Sequence, residues 1–179
     1  ADNAGSLVYP NLPTSVGNKA NYVAGNGQDL NKAITITSDS AYYSLIINLP
    51  NTTGLSLNTS LTGDNFFGFG QTAGGTLTIF GGQLRIRAGV AANTFQLALL
   101  NTGAAALQPT FSGDLPAATP IFVVVKVKRA TNPVQASMWI NPTLGLATEP
   151  APTMTSTLGT TTFTNFASIY VRQAGTAGA

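Results

Sequence analysis

The sequence predicts an all-β fold, built as a two-sheet antiparallel sandwich. Three observations carry this. Short runs of β-branched and aromatic residues are separated by Gly, Pro, Asn and Asp clusters, the punctuation of a sandwich or barrel. Helical periodicity is hard to find; the least strand-like stretch, Ala88 to Leu100, has an Ala and Leu content that allows at most a helical turn. About ten or more short strands joined by long polar connections need two packed sheets to bury one face of each.

The strands follow in order. Ala33 to Thr37 alternates apolar and polar residues, so one face is buried and the other wet. Tyr42 to Leu49 is almost continuously apolar, the pattern of a central strand. Asn65 to Gly70 is aromatic and glycine-rich, which predicts a packed strand with a bulge. Leu77 to Phe80 runs through Gly81-Gly82 into Gln83 to Ala88, which reads as a hairpin. In its second arm Leu84 and Ile86 point inward, and Arg85 and Arg87 outward. Phe95 to Leu100 is a further strand. Pro120 to Arg129 is the longest, buried early and half-exposed late, where Lys126 and Lys128 share a solvated face. Val134 to Ile140 follows a turn at Thr131-Asn132-Pro133, and Ser168 to Gln173 is the last strand. Polar, proline-punctuated loops lie between, at Pro10 to Pro13, Pro50 to Asp64, Leu107 to Pro120 and Pro142 to Pro152. No fixed-period repeat or linker divides the chain, so residues 1–179 are expected to form one domain.

Composition narrows the function. The 179 residues are 44% hydrophobic but only 8% charged, against a usual charged share of about 25%. The surface must therefore be made of Thr, Ser, Asn, Gln and Gly, which suits an extracellular β protein. The net charge of +2 comes without a basic cluster larger than Lys126, Lys128 and Arg129, so nucleic acid is not an expected partner. No apolar run approaches the ~20 residues of a membrane-spanning helix. With no Cys, disulfides and thiolate metal sites are excluded; with no His, the commonest general base and metal ligand is missing. The chain opens at Ala1 without Met, as a processed or excised segment does.

The acids are Asp2, Asp29, Asp39, Asp64, Asp114 and Glu149. Sandwich glycosidases need two carboxylates on one cleft, and here no two acids fall on the same short strand. Asp29 reads as an Asx-turn residue and Glu149 as a loop anchor. A serine nucleophile would lack its histidine; Lys126 is the one substitute base, and no GxSxG is present. Gly25-Asn26-Gly27 and Gly74-Gly75 lack the Lys-Thr and helix of a phosphate loop. Calcium is the one metal worth considering, with Asp64 and Asp114 as single-carboxylate candidates. Among aromatics, Tyr9, Tyr22 and Phe111 lie near loops and are candidate rim residues for a ligand. Tyr42, Tyr43, Phe66, Phe67, Phe69 and the sole Trp, Trp139, are assigned to core packing. Asn51-Thr52-Thr53 and Asn58-Thr59-Ser60 are sequons, and Asp39-Ser40-Ala41 resembles a bacterial O-glycosylation motif, with Ser40 as acceptor.

A resemblance adds to this. Gly5 to Pro10, Asn26 to Lys32, Tyr42 to Leu45, Phe66 to Gly70, Phe122 to Lys126, Ser137 to Pro142, Glu149 to Pro152 and Ile169 to Gln173 are similar, in order, to segments of bacterial LamG-like modules. The resemblance implies a concanavalin-like jelly roll from a large exported protein, secreted or at the cell surface. It implies no catalysis, no cofactor beyond possible rim calcium, and little about ligand. The expected role is adhesion, by binding a glycan or a surface protein. The alternatives are a structural subunit joined to neighbouring copies by strand complementation, and a concanavalin-like glycoside hydrolase, disfavoured by the sparse acids. The family's usual first and last strands have no counterpart here, which is the expectation behind strand complementation.

Overall fold

A computed structural model describes residues 2–3, 5–14, 17–20, 29–75, 77–101, 107–131, 133–159 and 163–172. Among them lie twelve strands and no helix: β1 (Asp2–Asn3), β2 (Lys19–Ala20), β3 (Asp29–Ile36), β4 (Ser40–Ile47), β5 (Asp64–Gly70), β6 (Phe80–Ala88), β7 (Thr94–Leu100), β8 (Leu115–Pro116), β9 (Ile121–Lys128), β10 (Gln135–Ile140), β11 (Met154–Ser156) and β12 (Phe166–Arg172). Two antiparallel sheets pack face to face, a four-stranded one ordered β11-β10-β9-β4 and a six-stranded one ordered β3-β12-β5-β6-β7-β8. β1 and β2 form a separate two-stranded ribbon. The fold is an all-β sandwich and is compatible with a jelly roll.

Strand alternation builds the core. From the four-stranded sheet, Ala41, Tyr43, Ile47, Val123, Val125, Val127, Ala136 and Met138 point inward. They meet Phe69, Leu84, Ile86, Phe95, Leu97, Leu99 and Phe166 of the opposite sheet. Rings link across this interior: Tyr43 lies 5.3 Å edge-on from Phe69, which lies 4.9 Å edge-on from Phe166. Edge-on pairs set the positive rim of one ring on the negative face of the next.

Three sequence expectations change. Leu77 to Ala88 is not a hairpin. β6 runs unbroken through Gly81 and Gly82, and Gly81 pairs with Phe69 of β5 while Leu84 pairs with Phe67. That offset is a bulge at Gly82, whose φ is +58°. The two glycines mark close approach. A Cβ on Gly82 would sit 2.4 Å from Val127 Cγ2 in the other sheet, and one on Gly81 2.9 Å from the Phe163 ring.

Secondly, Arg85 and Arg87 lie on the outer face of the six-stranded sheet as expected, but they are not free in solvent. The loop before β5 folds over them. Arg85 Nη1 donates to the carbonyls of Thr62 and Gly63, both at 3.2 Å, and Arg87 Nη1 to that of Ser60 at 2.6 Å. Burial lowers the pKa of the Arg85 guanidinium. Thirdly, the apolar strand expected at the centre of a sheet, β4, is an edge strand that, among the described residues, pairs with β9 alone. Smaller differences are ones of extent. β3 begins at Asp29, because it follows β12 to the Arg172–Asp29 pair. Ala88 to Leu100 is a tight turn closed by the Gly89 N–H on the Thr94 carbonyl (2.7 Å), then strand β7.

Gly82 and Gly145 separate clash from strain. Both have positive φ, but an added Cβ at Gly145 meets nothing within 4 Å. Gly145→Ala is expected to cost about 1 kcal/mol, the left-handed penalty alone. Gly82→Ala is expected to cost at least about twice that, because it also overpacks against Val127. Denaturant unfolding of the two variants side by side checks this; equal costs would contradict the close approach.

Candidate functional site

Asn141 turns the chain out of β10. It adopts a φ of +49°, donates its N–H to the Phe122 carbonyl (2.7 Å) and accepts the Phe122 N–H on Oδ1 (2.9 Å). The connection that follows, punctuated by Pro142, Gly145, Pro150 and Pro152, folds back over the outer face of the four-stranded sheet before β11.

That outer face is read off the strand register. Tyr42 of β4 lies beside Lys126 of β9, which lies beside Ser137 of β10; Ser44, Val124 and Trp139 form the next row. Three tethers hold the loop. Glu149 Oε2 accepts the Tyr42 hydroxyl at 2.5 Å and Lys126 Nζ at 2.7 Å. Trp139 Nε1 donates to the Pro150 carbonyl at 2.8 Å. The Ile140 N–H donates to Thr153 Oγ1 at 3.0 Å. Between loop and sheet lies an open cleft of about 270 Å³, floored by Val124 and Trp139 and walled by Tyr42 and Leu144 to Glu149.

The polarity of this cleft is mixed. Tyr42 is 51% exposed, whereas Trp139 is 4% exposed and covered by the loop. Leu146 is also half-exposed. Hydrogen bonds from Lys126 and then Tyr42 hold the Glu149 carboxyl below its ordinary pKa, and the same contact with Glu149 raises that of Lys126. The site thus offers an aromatic ring, aliphatic walls and one carboxylate at an open rim.

The residues singled out in the sequence lie in several places. Tyr9 lies against this same sheet, its ring 5.4 Å from that of Phe122. Tyr22 lies outside the described residues. Phe111 is on the other sheet, under the Arg87 guanidinium, 3.7 Å from its ring centroid, and bridges to Ala98. Asp64 accepts the Ser56 N–H at 2.8 Å and its hydroxyl at 2.7 Å. Asp114 accepts the N–H groups of Val90 (3.0 Å) and Ala91 (2.8 Å) and the amide of Gln96 (2.9 Å). The backbone bonds from Ala91 and Val90 lower its pKa. Both carboxylates serve as clasps that hold loops, with donors already on both oxygens. Among the described residues no three acidic side chains gather as a metal site would require. Ser40 opens β4, partly buried opposite Lys128.

Three assignments are corrected. Tyr42 is not core; alternation turns it outward from buried Tyr43. Trp139 is buried, but on the outer face under the loop, because Met138 beside it takes the core. Lys126 is not on a solvated face; its side chain is 16% exposed and paired with Glu149. The cleft was readable only in part. Alternation about Tyr43 and Met138 places Tyr42 and Trp139 outside, but no local pattern shows that the loop returns across them. No protein-family model, curated protein or solved structure matches the chain.

The tethers predict a pH response. A carboxyl whose folded pKa is depressed contributes stability above its unfolded pKa, and that contribution is lost as pH falls through the folded value. Glu149 should therefore release Tyr42 and Lys126 only below the ordinary glutamate range, loosening the loop over the one tryptophan. Trp139 emission is expected to shift in that acid window, reversibly and before global unfolding. Glu149→Gln should remove the titration. A shift of equal size in that variant would mean another group controls the loop.

Proposed function

We propose that this chain is a non-catalytic binding module of the LamG-like type, exported and displayed in a larger bacterial surface protein, and that it takes a neutral glycan in the cleft over the four-stranded sheet. The observation that carries the reading is the half-exposed Tyr42 ring beside the Glu149 carboxylate on an apolar floor. A sugar presents an apolar face of C–H groups and a rim of hydroxyls. The first suits an aromatic ring and the second a carboxylate acceptor. The ordered resemblance of eight segments supports the module type, and the low charge supports display outside the cell.

Binding without turnover agrees with how four of the six acids are held. Asp64 and Asp114 hold loops, Glu149 holds the cleft loop, and Asp39 lies 3.7 Å from Arg129. In this reading the module needs no cofactor. Adhesion to a protein surface segment would use the same cleft.

Calorimetric titration against a panel of neutral oligosaccharides tests the proposal. Binding to at least one is expected, weakened roughly tenfold by Tyr42→Ala, the equivalent of about 1.4 kcal/mol. Tyr42→Phe, which keeps the ring, should lose less. Failure of every sugar, with the folded protein confirmed by its far-ultraviolet spectrum, would overturn glycan binding. Undiminished affinity in Tyr42→Ala would move the site elsewhere.

A further inference from the structure

The four outer edges of the two sheets are closed differently. β11 has three residues. β8 has two and ends on Pro116. β3 carries Asp29 and Lys32 in its sequence, and its partner strand β12 slips register between Phe166 and Ser168. Shortness, proline, charge and irregularity are the devices by which sheet edges avoid pairing with other chains. β4 has none of them. Its eight residues, Ser40–Ile47, include no charge, no proline and no glycine, and its register with β9 is unbroken.

The parity of this edge is fixed. The Arg129 N–H donates to the Asp39 carbonyl at 2.9 Å, in line with the β4–β9 register. Residues facing β9 are therefore Ala41, Tyr43, Leu45 and Ile47. Tyr42, Ser44 and Ile46 turn their N–H and C=O groups away from the sheet. Among the described residues none pairs with them. Tyr42 and Ser44 are exposed and Ile46 is half-buried.

We propose that this edge pairs with the same edge of a second copy, antiparallel about a two-fold axis at Ser44, so that the four-stranded sheet continues across a homodimer. A second copy suits this edge because the strand is eight residues long, regular and uncharged, and so able to pair with itself. The three outward residues are centred on Ser44, so Tyr42 meets Ile46 of the other copy and Ser44 meets Ser44. Up to about six backbone hydrogen bonds form, all between groups otherwise left to water. An isologous contact brings each residue near its own counterpart, so a charged strand would repel itself; the uncharged β4 does not. The apolar run that the sequence assigns to a sheet centre then lies at the centre of an eight-stranded sheet. This inference stands apart from the glycan reading and does not depend on it.

Ser44→Cys gives the sharpest test, because the chain has no other cysteine. Residues directly opposite in a hydrogen-bonded antiparallel pair have Cα atoms about 5.5 Å apart, within disulfide reach. Mild oxidation is expected to give a covalent dimer at least about tenfold faster than Ser137→Cys, which sits on the same sheet but two strands inward. Sedimentation velocity of the unmodified chain should show a concentration-dependent dimer. Ser44→Lys, on the exposed outer face, and Ser44→Pro, which removes only an outward N–H, should both return it to monomer with an unchanged far-ultraviolet spectrum. A wild-type monomer at all accessible concentrations would overturn the proposal. So would equal cross-linking of the two cysteine variants, or polymers that persist in Ser44→Lys.

Discussion

Two buried hydrogen-bonding side chains meet at Gly82, and the spacing of the whole sandwich depends on them. Tyr43, from the four-stranded sheet, crosses the interior and donates its hydroxyl to the Gly82 carbonyl at 2.5 Å. Asn101, fully buried at the end of β7, accepts the Gly82 N–H on Oδ1 at 3.1 Å. Its Nδ2 donates back to the carbonyls of Val134 (2.9 Å) and Ser156 (3.2 Å) beside the opposite sheet. The bulge is what makes this possible, since a regular strand would turn those Gly82 groups toward β5 or β7. Each bond is worth only about 1 kcal/mol net, but leaving any one of these buried groups unpaired would cost about 1–3 kcal/mol. The sheets therefore have one satisfying register. The Tyr43 phenol is correspondingly held neutral, its pKa pushed well above the ordinary value by burial and by Tyr170.

The fold class was legible because it rests on period-two patterning, which is local. Lys126, Val127 and Lys128 announce an alternating strand, and the structure gives them one. What was not legible depends on partners distant in sequence. Gly81-Gly82 has the composition of a two-residue turn; only Val127 of β9 and Phe163 from the segment before β12 make it a point of contact. β4 has the composition of a central strand, and composition does not record which edges are paired. The short strands β1, β2, β8 and β11, at two or three residues each, are too brief to carry a period.

The candidate site shows the same division. Tyr42, Lys126 and Trp139 are set on one face by alternation alone, and that much follows from the buried positions of Tyr43, Val125 and Met138. Glu149 joins them from 23 residues beyond Lys126 only because Asn141 reverses the chain at the end of β10. The loop is then held at both ends, by Asn141 on Phe122 and by Thr153 on Ile140, with Glu149 and Pro150 as inner tethers. A connection anchored so often keeps its shape without ligand. A cleft formed beforehand spends less of its binding free energy on ordering.

The scarcity of charge shapes how these connections are held. Surface ion pairs contribute little, typically below 1 kcal/mol, and they weaken with salt. This chain also sets side-chain oxygens on backbone N–H groups and hydroxyls at fixed loop positions: the Asp114 carboxylate under the 89–93 turn, the Asp64 carboxylate on Ser56, and the Asn51 amide oxygen on the Thr53 N–H. Such bonds are directional and local, so they define a loop's shape. They also leave the remaining surface almost uncharged. A neutral surface gives little long-range steering or repulsion between copies, so what the protein binds is decided by short-range shape and hydrogen bonding. Both features singled out here, the Tyr42 cleft and the β4 edge, are of that short-range kind, and both involve β4, an edge strand of the four-stranded sheet.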